Sequence, residues 1–181
     1  MKTRRIGKIV SAVFIMLLFV FAGSVFYSTK AFAEKKEVVI VLDPGHGGTD
    51  MGALTGGRME KELNYTVAMA CKRELEKYEG VKVYLTRGKD EELSLADRAK
   101  FASEKKADLV ISLHFNASES HLLSGAETYV SSKQPLKSQA EKFALTELAL
   151  LEQYGVPIHG NFTRLNENNQ DYYGIIRESA A

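Results

Sequence analysis

The pattern of apolar and polar residues along the chain alternates between a strand rhythm and a helix rhythm. Five consecutive apolar residues, Val38 to Leu42, predict a strand that is buried on both faces, as in a parallel sheet. Apolar and polar positions alternate over residues 81–86, which predicts a half-buried strand. The mostly apolar segment 108–115 predicts a third strand, and residues 125–131 predict a fourth.

Helical periodicity occupies the segments between these strands. The first helix is predicted from Glu60 to about Tyr78, and a long amphipathic helix from Leu136 to about Tyr154. Between them, Ser94 to Asp97 has the spacing of a capping box and predicts a helix that runs to about Lys105. The predicted buried face of the first helix consists of Leu63, Val67, Ala70, Cys71, Leu75 and Tyr78. This order of strands and helices predicts an α/β fold, a three-layer sandwich with a mostly parallel central sheet flanked by helices.

The first 33 residues have the organisation of a secretory signal peptide. Residues 1–8 are basic, residues 9–26 are almost entirely apolar, and Ala31-Phe-Ala33 has the small-residue pattern of a cleavage site before Glu34. The apolar run is also long enough to cross a bilayer, so an uncleaved membrane anchor is the alternative. Either interpretation places residues 34–181 outside the cytoplasm as the functional domain.

Charge and cysteine content limit the possible partners. The whole chain has 24 basic and 23 acidic residues, and without residues 1–33 it has 19 basic against 23 acidic ones. A mildly acidic domain without a basic stripe is not expected to bind nucleic acid. Cys71 is the single cysteine, which excludes an internal disulfide, and its helical context predicts a small buried hydrophobe.

Three residues at predicted element ends are candidates for chemistry. His46 follows the first strand on a turn made by Asp43-Pro-Gly45, and Glu60 begins the first helix. His114 lies near the end of the third strand, on the same face as Ser112 and Asn116. Because the carboxyl ends of parallel strands meet at one edge of a sheet, we expect His46, Glu60 and His114 to converge there.

Two histidines and one carboxylate form the ligand set of a hydrolytic zinc centre that keeps a fourth position open for water. The residues alone also allow a structural interpretation. In that case His46 is a turn residue, Glu60 is a helix-start charge favoured by the helix dipole, and His114 is a core histidine with satisfied hydrogen bonds. Spacing does not decide between these two, because no HExxH motif ties two ligands together.

Several short motifs make the sequence resemble the zinc-dependent N-acetylmuramoyl-L-alanine amidases of the Amidase_3 type, over roughly residues 38–177. The motifs are Asp43-Pro-Gly-His-Gly-Gly48, Glu60-Lys61 with Asn64, Leu95 followed by Arg98, and Ser112-Leu-His-Phe-Asn-Ala117. The resemblance implies a zinc site made by His46, Glu60 and His114. It also implies cleavage of the amide between N-acetylmuramic acid and L-alanine in peptidoglycan, which agrees with the export signal.

One part of the family pattern finds no match. The resemblance implies a last apolar strand with a second glutamate that acts as general base or acid. Glu178 falls in a helix that would precede such a strand and does not match the motif, so we expect this glutamate beyond residue 181 and interpret the chain as a fragment. Two alternatives are a non-catalytic peptidoglycan-binding protein and a zinc peptidase of similar fold.

For the other polar residues, we expect supporting roles or no role at the metal. We expect Asn116 to orient a ligand or substrate, since zinc prefers His, Cys and carboxylate ligands. Arg98 is expected either to tie its helix to a carboxylate or to contact substrate, and Tyr172 and Tyr173 could line a groove. Residues expected to lie away from the metal are Glu62, His121 and His159.

Overall fold

A computed structural model describes residues 37–116 and 124–179. These residues fall into two compact units, one of residues 37–116 with 178–179 and the other of residues 124–177. Within these ranges no helix combines the length and the apolar character that a membrane crossing requires. The predicted signal segment, residues 1–33, and His121 lie outside the described residues.

The first unit is built around a parallel sheet. The strands of this unit are β1 (Val38–Pro44), β2 (Leu54–Thr55), β3 (Arg58–Met59), β4 (Val81–Leu85) and β5 (Leu109–Leu113), and its helices are α1 (Glu60–Leu75) and α2 (Leu95–Glu104). Strands β2 and β3 form a separate two-stranded pair. The sheet has the order β4-β1-β5, and β1 is parallel to both neighbours. The central strand carries the core residues Ile40, Val41 and Leu42, each no more than 3% exposed. This confirms the prediction of an α/β fold with a parallel central sheet and helices.

The register brings the polar ends of the strands to one edge of the sheet. Leu42 lies opposite Leu85, and one residue further on Asp43 lies opposite Ser112. The loops that follow β1, β4 and β5 therefore all begin at the carboxyl edge of the sheet, where open α/β sheets place their ligands.

The buried face of α1 differs from the predicted one. Its most buried stripe runs through Asn64, Ala68, Cys71 and Leu75, whereas Leu63 is only half-buried. The prediction was right for Cys71 and Leu75 and wrong in leaving out Ala68 and Asn64, the latter because it assigned the buried face to apolar residues alone. Asn64 is fully buried because its side-chain amide donates to the Gly45 carbonyl at 3.1 Å. Cys71 is buried, as predicted.

Helix α2 begins as the capping-box spacing predicts. The Ser94 hydroxyl accepts a hydrogen bond from the Asp97 backbone N–H at 3.1 Å and donates one to the Asp97 carboxylate at 2.6 Å. The helix buries Arg98, Ala99 and Ala102. Two of these are small and apolar, so the buried arginine is the unusual member and requires partners.

The second unit contains a smaller parallel sheet. Its elements are β6 (Ala126–Tyr129), α3 (Leu136–Gln153), β7 (Ile158–Phe162) and α4 (Gly174–Glu178). Strand β6 pairs in parallel with β7, and α3 packs on both through a face that buries Ala144, Leu148 and Leu151. The predicted fourth strand and long helix are confirmed with slightly shorter bounds. Strand β7 has no counterpart among the predicted elements, because His159 and Gly160 interrupt its apolar pattern.

Candidate metal centre

The structure brings together the three residues that the sequence singled out. One ligand atom from each of His46, Glu60 and His114 lies within 4.8 Å of the other two. His46 Nε2 and His114 Nδ1 each lie 3.2 Å from the same carboxylate oxygen, Glu60 Oε1. The two imidazole rings meet edge to face with their centroids 4.9 Å apart. All three side chains belong to the first unit, at the carboxyl edge of its sheet.

His46 is held in an unusual backbone conformation. It follows β1 with φ of +61°, in the left-handed region that residues other than glycine rarely adopt. The loop closes through a pair of backbone hydrogen bonds between Gly47 and Asp50, and the Arg98 guanidinium donates to the His46 carbonyl at 2.7 Å. Such a conformation persists only where its surroundings over-determine it. The loop therefore presents the His46 imidazole in one fixed direction.

Glu60 is a buried carboxylate whose two oxygens both have donors. Oε2 accepts the Ala53 N–H at 2.9 Å, and Oε1 accepts the Phe115 N–H at 2.9 Å. Burial raises the pKa of the Glu60 carboxyl, but hydrogen bonds from His114, Ala53 and Phe115 outweigh it and lower the pKa to about 2. Glu60 is therefore ionised at neutral pH, as a metal-binding carboxylate must be.

His114 follows β5 immediately and lies against the loop that carries His46. A Cβ atom on Gly45 would lie 2.2 Å from His114 Cε1, so the backbone can approach the ring this closely only at a glycine. Gly52 has a similar role, with φ of +64° and a would-be Cβ 2.6 Å from His46 Cδ2 and 2.8 Å from Glu60 Cβ. The close approach of these two glycines lets the three ligands share one small volume.

Asp50 is a residue beside the candidate ligands that the sequence reasoning missed. Its Oδ2 lies 2.8 Å from His46 Nδ1, and its Oδ1 accepts the Gly52 N–H at 3.0 Å. The hydrogen bond from His46 is the main cause that lowers the pKa of the Asp50 carboxyl. A His46 imidazole that donates its Nδ1 proton to Asp50 keeps the lone pair of Nε2 for binding a metal. A carboxylate partner on the far nitrogen is usual for metal-binding histidines, so an acid four residues after His46 was a usable signal.

We expect the substitution Asp50→Asn to weaken metal binding by about 10–100-fold, because the amide cannot hold the His46 imidazole as the carboxylate does. Competition with a chromophoric chelator measures the zinc affinity. Glu62→Gln is the matched control, since Glu62 is an exposed carboxylate two residues from Glu60. Equal zinc affinities for the Asp50 and Glu62 variants would contradict the role of Asp50.

A buried acid underlies the loop. Asp43 is 2% exposed and accepts hydrogen bonds from the Thr86 hydroxyl at 2.6 Å, the Ser112 hydroxyl at 2.7 Å and Arg98 Nη1 at 2.8 Å. Of the two roles expected for Arg98, the structure shows the tie to a carboxylate. Ser112 was predicted to lie on the same strand face as His114 and to need a polar partner there. The Asp43 carboxylate is that partner.

A second buried guanidinium supports the same segment from another side. Arg87 is 2% exposed and donates to the carbonyls of Pro44, Gly45 and Lys61 at 2.7–2.9 Å. Two further bonds reach Gly88 and Lys89. Since carbonyl oxygens of the loop accept from Arg87 and Arg98, the path of the chain around His46 is fixed by buried charge.

The remaining residues named by the sequence are not part of this cluster of His46, Glu60 and His114. Glu62 is exposed, as expected, and His159 is exposed on β7 of the other unit. Tyr172 is 46% exposed in that unit. Asn116 is exposed two residues after His114, and its expected contact with substrate stays a prediction. Glu178 lies in the short helix α4, as expected.

The donor set suits zinc, and the two distances from the histidine nitrogens to the glutamate oxygen match the geometry of a zinc site. Two ligand atoms held about 2.0–2.1 Å from one zinc ion at the tetrahedral angle lie about 3.3 Å apart. Both distances to Glu60 Oε1 are 3.2 Å. The His114 side chain is 45% exposed and that of His46 is 23% exposed, so one side of the cluster faces solvent. This arrangement can hold a metal ion with a position open to water or substrate.

Comparison with known proteins shows which family and which relatives this chain resembles. The family model described as N-acetylmuramoyl-L-alanine amidase matches residues 40–171. The chain is 39% identical over 106 residues to the N-acetylmuramoyl-L-alanine amidase LytC of Bacillus subtilis, a match that covers 56% of this chain and 21% of that protein. It is 40% identical over 94 residues to the sporulation-specific amidase of the same organism, covering 51% of this chain and 36% of the relative.

A solved structure extends the comparison to the fold. The crystal structure of an N-acetylmuramoyl-L-alanine amidase from Clostridium difficile 630 matches with a TM-score of 0.67 and 30% identity, covering 80% of this chain and 75% of the other. The chain thus spans about a fifth to a third of the length of the two curated relatives, and three quarters of the solved one.

Proposed function

This chain belongs to the N-acetylmuramoyl-L-alanine amidase family that matches residues 40–171, and we propose that it is a zinc-dependent hydrolase that cleaves the amide between N-acetylmuramic acid and L-alanine in peptidoglycan. The observation that carries the proposal is the convergence of His46 Nε2, Glu60 Oε1 and His114 Nδ1 within 4.8 Å at the carboxyl edge of the sheet. Two imidazoles and a carboxylate are the ligands of hydrolytic zinc.

The described residues prepare the site in distinct ways. Bound by these three ligands, zinc supplies a Lewis acid for the scissile carbonyl and lowers the pKa of water at its open position. Glu60 supplies the negative charge, Asp50 orients the His46 imidazole, and Gly45 lets His114 approach. Because the His114 side chain is 45% exposed, an extended substrate can reach the site from that side.

Proton transfer to the leaving amine needs another group. Efficient general bases have a pKa near the working pH. The pKa values of Glu60 and Asp50 are both lowered, and both carboxylates are hydrogen-bonded to the histidines. We therefore assign the general-base role to neither carboxylate.

The proposed substrate also indicates where in the cell the protein acts. Peptidoglycan lies outside the cytoplasm, which agrees with the predicted signal segment of residues 1–33. We propose export to the cell wall, either as a released protein after cleavage or with the apolar segment as an anchor.

Digestion of purified peptidoglycan tests the function. We expect the zinc-loaded protein to release stem peptides with free L-alanine amines and to leave the lactyl groups on the muramic acid. A chelator-treated sample is the control. New amines on other stem residues would replace the amidase assignment with a zinc peptidase, and retention on peptidoglycan without any release would indicate a binding protein.

A further inference from the structure

A small hairpin projects beside the metal ligands. Strands β2 and β3 pair in antiparallel register, with Leu54 opposite Met59 and Thr55 opposite Arg58. The turn between them is Gly56-Gly57, with φ of +58° and +74°. No atom of residues 37–116 or 124–179 lies within 4 Å of either position where a Cβ would stand, so none of these described residues packs on the tip of the hairpin.

The base of the hairpin is joined directly to a metal ligand. The Glu60 N–H donates to the Ala53 carbonyl at 2.8 Å, and the Ala53 N–H donates to Glu60 Oε2 at 2.9 Å. Both chain ends of residues 53–59 are thus tied to the residue that supplies the carboxylate. We call residues 53–59 the hairpin arm.

The arm carries one cation, Arg58, for which the described part of the chain offers no partner. Across residues 37–116 and 124–179, the exposed Arg58 side chain makes no hydrogen bond or ion pair. The other basic side chains that contact the His46 loop have their donors engaged. Lys61 donates to the Gly48 carbonyl and to Asp90, and Arg87 and Arg98 bind backbone carbonyls and Asp43. Arg58 is therefore available to an external anion.

Exposed apolar side chains accompany this cation. Leu54 on the arm is 60% exposed, Met51 just before it is 44% exposed and Phe115 is 42% exposed. Two of them are fixed to the ligand segment through their backbones, since Met51 O accepts the Lys61 N–H and the Phe115 N–H donates to Glu60. Exposed apolar groups around a concentrated polar site are typical of ligand-binding surfaces.

We propose that the hairpin arm binds the stem peptide of the substrate, with Arg58 pairing with a stem carboxylate and Leu54 contacting its apolar side chains. This inference rests on the proposed function and adds the element that recognises the peptide side of the scissile amide. Arg58 lies two residues from Glu60, at most about 7 Å of extended chain. An extended peptide advances about 3.4 Å per residue, so the carboxylate lies within the first few stem residues.

Binding measurements with soluble muramyl tripeptides test the proposal on the zinc-loaded chain. One ligand has free stem carboxylates, and the other has the same carboxylates amidated. We expect the unchanged protein to bind the free acid about tenfold more tightly, as one charge-assisted hydrogen-bonded pair supplies. Arg58→Gln is expected to abolish this preference, and Arg58→Lys to restore part of it.

Arg73→Gln is the matched control. Arg73 is an exposed arginine near the other end of α1, about 20 Å along the helix axis from Glu60, and its variant should keep the full preference. Equal binding of both ligands by the unchanged protein, binding of neither, or an unchanged preference in Arg58→Gln would each overturn the role of Arg58. The peptidoglycan digestion with the same preparation reports on the amidase activity separately, so failure of this proposal and failure of the proposed function are distinguishable.

Discussion

Replacing either His46 or His114 with alanine is expected to abolish retention of zinc by the protein. Each histidine supplies one of the three proposed ligand atoms, which lie within 4.8 Å of one another. Two remaining protein ligands are fewer than hydrolytic zinc sites use. Dialysis of the zinc-loaded variants followed by elemental analysis measures the bound metal, and we expect it to fall from nearly stoichiometric to a small fraction.

His159→Ala is the control for this prediction. His159 is an exposed histidine on β7 of the other unit. Its replacement tests whether the loss of any histidine lowers zinc retention, and we expect this variant to retain zinc. Far-ultraviolet circular dichroism of each variant shows whether the fold is kept. Near-stoichiometric zinc in either the His46 or the His114 variant would exclude the proposed ligand set.

The convergence of the ligands was predictable because it depends on topology. His46 follows β1 and His114 follows β5, and these strands are parallel neighbours with Asp43 opposite Ser112. Parallel pairing brings both strand ends to one edge, whatever the sequence distance between them. Periodicity and turn residues carry that information, so a sequence is enough to expect it.

The support of the site was less predictable, because it consists of contacts between side chains and backbone carbonyls. Nothing in the periodicity of β4 indicates that Arg87 bends back to bind the carbonyls of Pro44 and Gly45. The periodicity of α1 likewise gives no sign that Asn64 is buried on its inner face, at a position where an apolar residue would be expected. Hydropathy describes burial of apolar groups, whereas these residues are buried because hydrogen bonds satisfy them.

The hairpin arm was missed for a different reason. Strands β2 and β3 contain two residues each, too few for an alternating pattern to be seen. The Gly56-Gly57 pair is the local signal for such a turn. Its importance becomes visible only when the Glu60 backbone is seen to hydrogen-bond with Ala53.

The substitution Arg98→Met is expected to lower the free energy of unfolding by about 3–5 kcal/mol, because it leaves a buried carboxylate without its cation. Arg98 and Asp43 side chains are 5% and 3% exposed and lie 2.8 Å apart. Methionine fills a similar volume and offers no donor, so Asp43 keeps only the hydroxyls of Thr86 and Ser112. The His46 carbonyl loses a donor as well. Urea denaturation followed by circular dichroism, with chelator present so that metal binding does not contribute, measures the change.

Lys100→Met is the matched control on the same helix. Lys100 pairs with Glu104 at 3.8 Å, but their side chains are 72% and 62% exposed, and exposed pairs of this kind contribute about 0–1 kcal/mol. The double variant Asp43→Asn, Arg98→Met removes both buried charges, and we expect it to be more stable than Arg98→Met alone. A loss for Arg98→Met no larger than that for Lys100→Met would show that the buried pair does not hold the loop. The fixed backbone of His46 would then depend on Arg87 and the close glycine contacts instead.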